Sequence, residues 1–284
     1  MSGGRLVLVP NALDARPGSG EGDLADWLPL GTVRAAAGIR HWVAENARSA
    51  RAFLKRVDAL VPLVLPLQQI AIVEWPRHGE ADAAALLGPA LEGHTLGLVS
   101  EAGLPGLADP GASLVAAAHA RGVPVSVLPG PSAIALAVAA GGLEGQRFAF
   151  VGYVPSDASA RDARLRALEA DSRRDGATQV LIETPYRNGA LLDAMLRTLA
   201  PETRLSVGVG LGTAAAHVRT DTVTGWRAAP TALPADVPAV FSLLAASGSV
   251  SPGRRPPAPG QPHPPRPRPA PPSRRTARRP SSST

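Results

Sequence analysis

Two blocks rich in glycine and proline constrain the fold of this chain more than any other feature. The first block, SEAGLPGLADPG at 100–111, follows the apolar run Thr95–Val99, and the second, LPGPSA at 128–133, ends the apolar run Val123–Leu128. Each block leads into an alanine-rich stretch that is typical of a helix. Glycine and proline at the carboxyl end of a strand let the backbone approach a bound molecule closely. Two such turns about thirty residues apart therefore predict two walls of one small-molecule cleft.

Strand-like and helix-like patterns alternate along most of the chain, which predicts an α/β fold. We predict strands over Leu6–Val9, Thr95–Val99, Val123–Leu128, Phe148–Val154, Thr178–Glu183, Arg204–Val209, His217–Trp226 and Val237–Leu244. We predict helices over Glu45–Val57, Ala81–Leu91, Ala112–Ala120, Ser132–Ala140, Ala158–Asp171 and Gly189–Leu199. The stretch Leu60–Val73 is interpreted as an irregular buried connection. A hinge near Gly122 would divide the chain into an N-terminal α/β domain of residues 1–122 and a C-terminal α/β domain of residues 123–247.

Composition excludes several classes of protein. The chain has 284 residues, 45% of them apolar, which suffices for the core of one large or two modest domains, and it has no cysteine. Disulfides and thiolate chemistry are therefore excluded, and the composition fits a cytoplasmic protein. No segment has eighteen uninterrupted apolar residues, so we predict no membrane span. The six histidines show no metal-ligand spacing, and there is no P-loop or Gly-x-Ser-x-Gly motif, which argues against zinc enzymes, NTPases and hydrolases.

The net charge of +6 comes from the C-terminal tail and not from the body of the chain. Residues 251–284 contain eight arginines, twelve prolines and no acidic residue, whereas residues 1–250 carry a net charge of −2. Nucleic-acid binding therefore cannot be inferred from overall charge. We predict that residues 248–284 are disordered or polyproline-like, because they cannot bury apolar surface. The tail is either a basic anchor for RNA or an extension from a shifted reading frame.

Five blocks in a fixed order carry a family resemblance. Besides the two opening blocks they are AENAR at 44–48, FVGYVP at 150–155 and IETPYR at 182–187. Together they resemble the tetrapyrrole-methylase superfamily of S-adenosylmethionine-dependent methyltransferases, over roughly residues 5–245. Within it they are most similar to the branch that methylates a ribose 2′-hydroxyl of small-subunit ribosomal RNA. The resemblance implies two α/β domains with S-adenosylmethionine in the cleft between them, a homodimer, and no metal.

The resemblance also implies roles for particular residues. The donor contacts would come from Ser100, Glu101, Ala102, Gly103, Pro105, Pro129, Gly130, Pro131, Ser132 and Ala133. The candidate catalytic residues are Glu45, Arg48 and Glu101. The general base is not identified, and three carboxylates are open to test: Glu45, Glu101 and Glu183. The candidate substrate-binding residues are Glu183, Tyr186 and Arg187. An arginine at a strand end can orient a phosphate with two hydrogen bonds, and the alternative for Arg187 is a structural ion pair.

This chain departs from the family pattern at several positions. Asn46-Ala47 stands where relatives carry Asp-Thr, Glu101 where aspartate is usual, and Leu104 where threonine is common. After the first strand, the chain reads Pro10-Asn11-Ala12-Leu13-Asp14 where relatives carry Pro-Ile-Gly-Asn. Two alternatives therefore stay open. One is a methyltransferase that acts on a tetrapyrrole or another small molecule, and the other is a divergent, non-catalytic paralogue that binds donor or RNA without turnover.

Three further segments have simpler interpretations. For Asp109-Pro110-Gly111 a structural role is sufficient, in which Asp109 caps the following helix and Pro110 opens it. The stretch Gly18–Asp23 resembles a glycine-rich loop of tetrapyrrole-modifying relatives, but it lies too far beyond the first strand, and we interpret it as a flexible loop capped by Asp23. The run GVGLG at 208–212 has the wrong spacing for a dinucleotide fingerprint, which argues against a Rossmann dehydrogenase.

Overall fold

Five parallel strands form the first sheet of the computed structural model, which describes residues 3–13, 23–76 and 82–246. The strands are β1 (Arg5–Leu8), β2 (His41–Ala44), β3 (Ala71–Glu74), β4 (Thr95–Val99) and β5 (Val125–Val127), in the order β3-β2-β4-β1-β5. Each neighbouring pair runs parallel. The loops that follow β1, β2, β4 and β5 therefore meet at one edge of the sheet, which is where open α/β sheets bind ligands.

The second sheet is mixed and also has five strands. They are β6 (Phe148–Gly152), β7 (Thr178–Ile182), β8 (Arg204–Val209), β9 (His217–Thr222) and β10 (Ala239–Leu244), in the order β6-β7-β10-β8-β9. β6 and β7 are parallel, and β10 runs antiparallel between β7 and β8. The carboxyl ends of β6, β7 and β8 and the amino end of β10 therefore lie at one edge.

Helices connect the strands in both halves of the described chain. They are α1 (Leu30–Ala37), α2 (Ala47–Leu60), α3 (Ala83–Leu86), α4 (Gly88–Leu91), α5 (Ala112–Ala120), α6 (Ala133–Ala140), α7 (Ala158–Asp175), α8 (Asn188–Thr198) and α9 (Val223–Ala228). Helix α2 begins where the Asn46 side chain accepts hydrogen bonds from the backbone N–H groups of Arg48 and Ser49. Short polar side chains thus satisfy the free N–H groups of a first turn. None of these helices is long and apolar enough to cross a membrane.

Each sheet packs against its own helices, and α6 joins the two. In the first sheet the Trp42 ring meets Phe53 of α2 edge-on, with ring centroids 6.1 Å apart. In the second sheet Phe241 shares a core with Leu165 of α7. Helix α6 follows β5 of the first sheet, yet its Ile134 packs against β7 and β10 of the second. Because burial of such a side chain contributes about 1.5–3 kcal/mol, α6 ties the two sheets together.

The structure confirms the predicted α/β class and most of the predicted elements. Strands β4 and β8 and helix α5 have the predicted bounds, and β1, β5, β6, β7 and β10 end within two residues of theirs. Helix α1 and strand β2 were not predicted. Both lie in the first 44 residues, where the family blocks are sparse.

Three predicted segments are wrong in part. The segment Ala81–Leu91 forms two short helices, α3 and α4, because Pro89 has no backbone N–H and its ring blocks a continuous helix. The segment His217–Trp226 changes from strand to helix after Thr222, whose side chain accepts from the N–H of Gly225 and caps α9. The segment Leu60–Val73 is not buried, since most of it is exposed or half-buried, and its end forms the edge strand β3.

The chain passes from the first sheet to the second after β5. The predicted hinge near Gly122 precedes β5, which pairs with β1, so the change of sheet falls between Val127 and Phe148. The division into domains at residues 1–122 and 123–247 stays a prediction. The predicted tail, 248–284, and the predicted loop at 18–22 lie outside the described residues. Asp23 accepts a hydrogen bond from Ala25 N–H at the start of a short 3-10 turn.

Candidate functional site

A cavity of about 690 Å³ lies where the strand ends of the two sheets meet. Its first wall comes from Leu13 and Trp27 and from the loops that follow β4 and β5. Its second wall comes from the ends of β7 and β10 and from the loop between β8 and β9. The lining is mostly apolar side chains and glycine, with two carboxylates, Asp26 and Asp109. This size and lining are typical of a small-molecule site.

The loop after β4 forms part of the first wall, and several of the predicted donor-binding residues lie in this loop. Ala102 and Gly103 line the cavity, whereas Ser100 and Pro105 are buried and do not line it. Gly103 has a φ of +67°, a left-handed conformation that glycine adopts without steric cost. Glu101 is exposed and lies outside the lining, with its carboxylate accepting a hydrogen bond from the Ser49 hydroxyl.

Asn11 holds this loop against the loop that follows β1. Its side-chain amide donates to the backbone carbonyls of Ser100 and Glu101, at 3.3 and 2.9 Å. Its backbone N–H and C=O both bond to Gly103. Asn11 is 3% exposed, so these buried bonds fix the shape of the first wall. The sequence pattern indicated only that Asn11 departs from the family. Hydrogen bonds between residues so far apart in the chain give no signal in the local sequence.

The block at 128–133 divides between the wall and its support. Ser132 and Ala133, at the start of α6, line the cavity, and Pro129, Gly130 and Pro131 do not. The Pro129 carbonyl accepts a hydrogen bond from the Thr32 hydroxyl at 2.8 Å. A side chain at Gly130 would overlap the Pro10 ring, so this glycine permits close packing behind the wall. Ser132 makes no side-chain cap to α6.

The β8–β9 loop forms much of the second wall and was missed as a site. Residues Gly208 and 210–215 line the cavity. A side chain at Gly212, whose φ is +84°, would overlap the Trp27 ring from the first wall. From its spacing, this run was compared only with a dinucleotide fingerprint. The signal that would have found it is the one used for the opening blocks, a glycine cluster at the carboxyl end of a buried strand.

An acidic cluster, defined as Glu45, Glu101 and Asp109, lies beside the first wall. Glu45 follows β2, and its carboxylate accepts a hydrogen bond from the Glu101 backbone N–H at 3.2 Å. Arg48, predicted to be catalytic, is exposed in the first turn of α2. The neighbouring Asn46 uses its side chain to cap that helix. The structure therefore brings Glu45 and Glu101 together, and neither of them lines the cavity.

Asp109 was interpreted as a helix cap, and this interpretation is wrong. Helix α5 is preceded by Gly111, and no side chain caps it. Asp109 lines the cavity instead. Burial, together with the nearby carboxylates of Glu45 and Glu101, raises the pKa of Asp109 from its ordinary value of 3.8 to about 7, while a contact with the Ser100 side chain opposes the rise. An acidic group whose pKa is shifted close to neutral pH is a common feature of functional sites.

The predicted substrate residues lie at the carboxyl end of β7. The Glu183 side chain is 2% exposed, and Arg187 Nη2 lies 3.1 Å from its Oε2. That Nη2 makes no hydrogen bond, so the contact is an ion pair without hydrogen-bond geometry. Glu183 also accepts from the N–H and hydroxyl of Thr184. The contact observed for Arg187 is therefore the ion pair that was considered as the alternative to phosphate binding. Tyr186 is 74% exposed.

Tyr153 was not predicted as a site residue. It follows β6, is 59% exposed, and lies among carboxylates from both sheets. Partial burial and the charges of Asp109, Glu183 and Glu45 raise its pKa. The chain contains two tyrosines, Tyr153 and Tyr186, and both follow neighbouring parallel strands at the same edge.

S-adenosylmethionine fits the character of this cavity. The volume suits a ligand of nucleoside size, and the backbones of Gly103 and Gly212 form part of its walls. The donor carries a positively charged sulfonium, which the Asp26 carboxylate in the lining would attract. In the described part of the chain, no three histidine or acidic residues lie close enough together to hold a metal ion.

Fold and cavity together define a two-sheet α/β protein with a small-molecule site at the strand ends. The family model for Tetrapyrrole (Corrin/Porphyrin) Methylases matches residues 30–225. This chain therefore belongs to the tetrapyrrole methylase family. This confirms the predicted family. It also confirms what the family implies, which is an S-adenosylmethionine-dependent methyltransferase with S-adenosylmethionine as the methyl donor.

Two curated relatives illustrate the similarity. The proteins named Ribosomal RNA small subunit methyltransferase I from Mycobacterium tuberculosis and Mesorhizobium japonicum are 35% and 32% identical to this chain, over 199 and 203 residues. The alignments cover 70% and 71% of this chain and 63% and 64% of the relatives. The chain thus spans a little less than two thirds of the length of these relatives.

A solved structure supports the fold. The crystal structure of the methyltransferase CobJ superposes with a TM-score of 0.54 at 18% identity, covering 86% of this chain and 95% of that chain. At this identity the likeness shows the fold alone, and it agrees with the two-sheet α/β architecture described above.

Proposed function

We propose that this chain transfers a methyl group from S-adenosylmethionine to a ribose 2′-hydroxyl of small-subunit ribosomal RNA. The observation that carries the proposal is the cavity lined by Ala102, Gly103, Ser132 and Ala133. These residues belong to the blocks that carry the family resemblance. The names of the relatives supply the acceptor class.

The surroundings of the cavity favour a ribose over a tetrapyrrole as acceptor. Ribose hydroxyls are hydrogen-bond donors that carboxylates accept. Tyr153 and Tyr186, 59% and 74% exposed, offer aromatic faces at the same edge, and stacking of a base on such a face contributes about 1–3 kcal/mol.

Catalysis would depend mainly on positioning. When bound, S-adenosylmethionine supplies an electrophilic methyl group on a sulfonium. The loop around Gly103 and the start of α6 would hold the donor, and the apolar lining would exclude water. Holding donor and acceptor in line accounts for a large part of the rate gain in such transfers, so the few charged side chains in the lining suffice.

Two further features belong to this proposal. The resemblance implies a homodimer, which light scattering of the purified chain would measure. The absence of cysteine favours a cytoplasmic location, where the ribosomal acceptor is found.

The test begins with calorimetric titration of S-adenosylmethionine and S-adenosylhomocysteine into the full chain. We expect micromolar binding, about −8 kcal/mol. The variant Ala133→Phe fills the cavity from the start of α6 and should weaken binding at least tenfold. The matched control Ala135→Phe changes an exposed position of the same helix and should bind as the wild type does.

Transfer is then measured with tritiated donor on unmodified small ribosomal subunits and, separately, on a porphyrinogen. Label in a ribose of the ribosomal RNA supports the proposal. Label only in the porphyrinogen assigns the small-molecule alternative. Donor binding without transfer to either acceptor supports the non-catalytic paralogue, and no binding at all refutes the donor site.

A further inference from the structure

Asp109 is the member of the acidic cluster that lines the cavity. The other carboxylates of this region are engaged elsewhere. Glu45 accepts from the Glu101 backbone, and Glu101 accepts from the Ser49 hydroxyl. Glu183 is paired with an arginine and does not line the cavity. Asp109 is therefore the carboxylate that both lines the donor cavity and lies close to Glu45 and Glu101.

The backbone around Asp109 is held in an unusual conformation. Ala108 has a φ of +70° and is the one non-glycine residue in the described ranges with a left-handed backbone. This conformation is unfavourable for alanine and persists where the surrounding structure imposes it, often at functional sites. On the other side, Gly111 has a φ of +136°. The loop thus directs Asp109 into the cavity lining and away from the helix start that the sequence predicted.

The groups that face Asp109 come from three elements. They are Glu45 after β2, Ser100 and Glu101 in its own loop, and Tyr153 after β6. The nearby carboxylates and burial disfavour the charged form of Asp109, and its pKa is raised to about 7. A general base is most effective when its pKa lies near the working pH, and Asp109 meets that condition.

We infer that Asp109 is the general base that receives the proton of the acceptor hydroxyl. This inference rests on the proposed function. In the step, the O–H bond of the acceptor breaks and its proton passes to an Asp109 carboxylate oxygen. The hydroxyl oxygen forms a bond to the methyl carbon, and the bond from that carbon to sulfur breaks with its electron pair retained by sulfur. Burial, together with the charges of Glu45 and Glu101, maintains the proton affinity of Asp109.

The test compares the wild type with Asp109→Asn, which keeps the shape of the side chain and removes the base. We expect donor affinity by calorimetry to stay within about threefold, while kcat falls by about 10²- to 10⁴-fold. In the wild type, kcat/KM for the donor should rise with pH through about 7, because the base must be ionised. That limb should disappear in the variant. The control is Asp193→Asn, at an exposed position on α8. It should keep the wild-type kcat and the rise of kcat/KM with pH.

A second readout does not depend on activity. Carboxyl carbon-13 NMR of the ligand-free protein should show a resonance that titrates near 7 in the wild type and is absent in Asp109→Asn. Full activity of Asp109→Asn, a retained pH limb, or a resonance that titrates near 3.8 would overturn the assignment of Asp109 alone. A wild type that binds donor and methylates no acceptor would overturn the proposed function, and the base with it.

Discussion

Replacing Asp109 by asparagine should stabilise the folded protein at neutral pH. The pKa of Asp109 is about 7 when folded and 3.8 in its ordinary, unfolded environment. Between these values the folded state binds more protons than the unfolded state, so stability falls as the pH rises. The loss starts above about pH 4 and is complete above about pH 7. Asparagine cannot ionise, and the variant should avoid this loss.

The magnitude follows from the size of the pKa change. One pKa unit corresponds to about 1.4 kcal/mol, so a rise from 3.8 to about 7 sets a ceiling of about 4 kcal/mol. Asp109 is half-buried, and solvent screening reduces the expected gain to about 1–2 kcal/mol. For a chain of this size 1 kcal/mol shifts Tm by about 2–4 °C. We therefore expect Asp109→Asn to raise Tm by about 2–8 °C at pH 8.

Thermal unfolding followed by calorimetry from pH 4 to pH 8.5 measures this effect. The difference in Tm between Asp109→Asn and the wild type should grow from about pH 4 to about pH 7 and stay constant above. Asp193→Asn should show a difference that does not vary with pH. A pH-independent difference for Asp109→Asn, or a variant that is less stable throughout, would refute the argument that burial and the acidic cluster raise this pKa.

Two further substitutions test contacts that shape the site. Arg187→Met removes the partner of Glu183, whose side chain is 2% exposed, and should cost about 3 kcal/mol in urea unfolding. Unchanged stability would show that this ion pair contributes nothing. Asn11→Ala leaves the carbonyls of Ser100 and Glu101 without their donors and should cost about 1–3 kcal/mol, with weaker donor binding. Intact donor affinity in that variant would contradict the role of Asn11 in shaping the first wall.

The elements that were predicted well have strong local signals. The predicted bounds of β4, β8 and α5 agree with the structure. In each of them, the apolar periodicity and the turn residues that end the element lie within one short segment. The failures come from competition inside a segment. Pro89 divides a predicted helix into two, and Thr222 begins a helix where alternation predicted a strand.

The sequence analysis predicted the candidate site on one side only. Glycine at a strand end indicates close backbone approach wherever it occurs, so Gly103 could be placed at the cavity from its motif. The β8–β9 loop around Gly212 completes the cavity from a position more than a hundred residues away. Its glycine cluster after a buried strand marks a turn that can approach a ligand, but no local pattern reports that this turn will face the first sheet.

The α/β class, the family and the loop that would approach the donor follow from the sequence, because they depend on residue type and spacing within short segments. Tertiary structure alone decided which side chains share an environment. Asp109 has the pattern of a helix cap. Only the approach of β2 and β4 of the first sheet to β6 of the second surrounds it with Glu45, Glu101 and Tyr153. Proton affinity depends on burial and on nearby charge, and both arise only when distant parts of the chain come together.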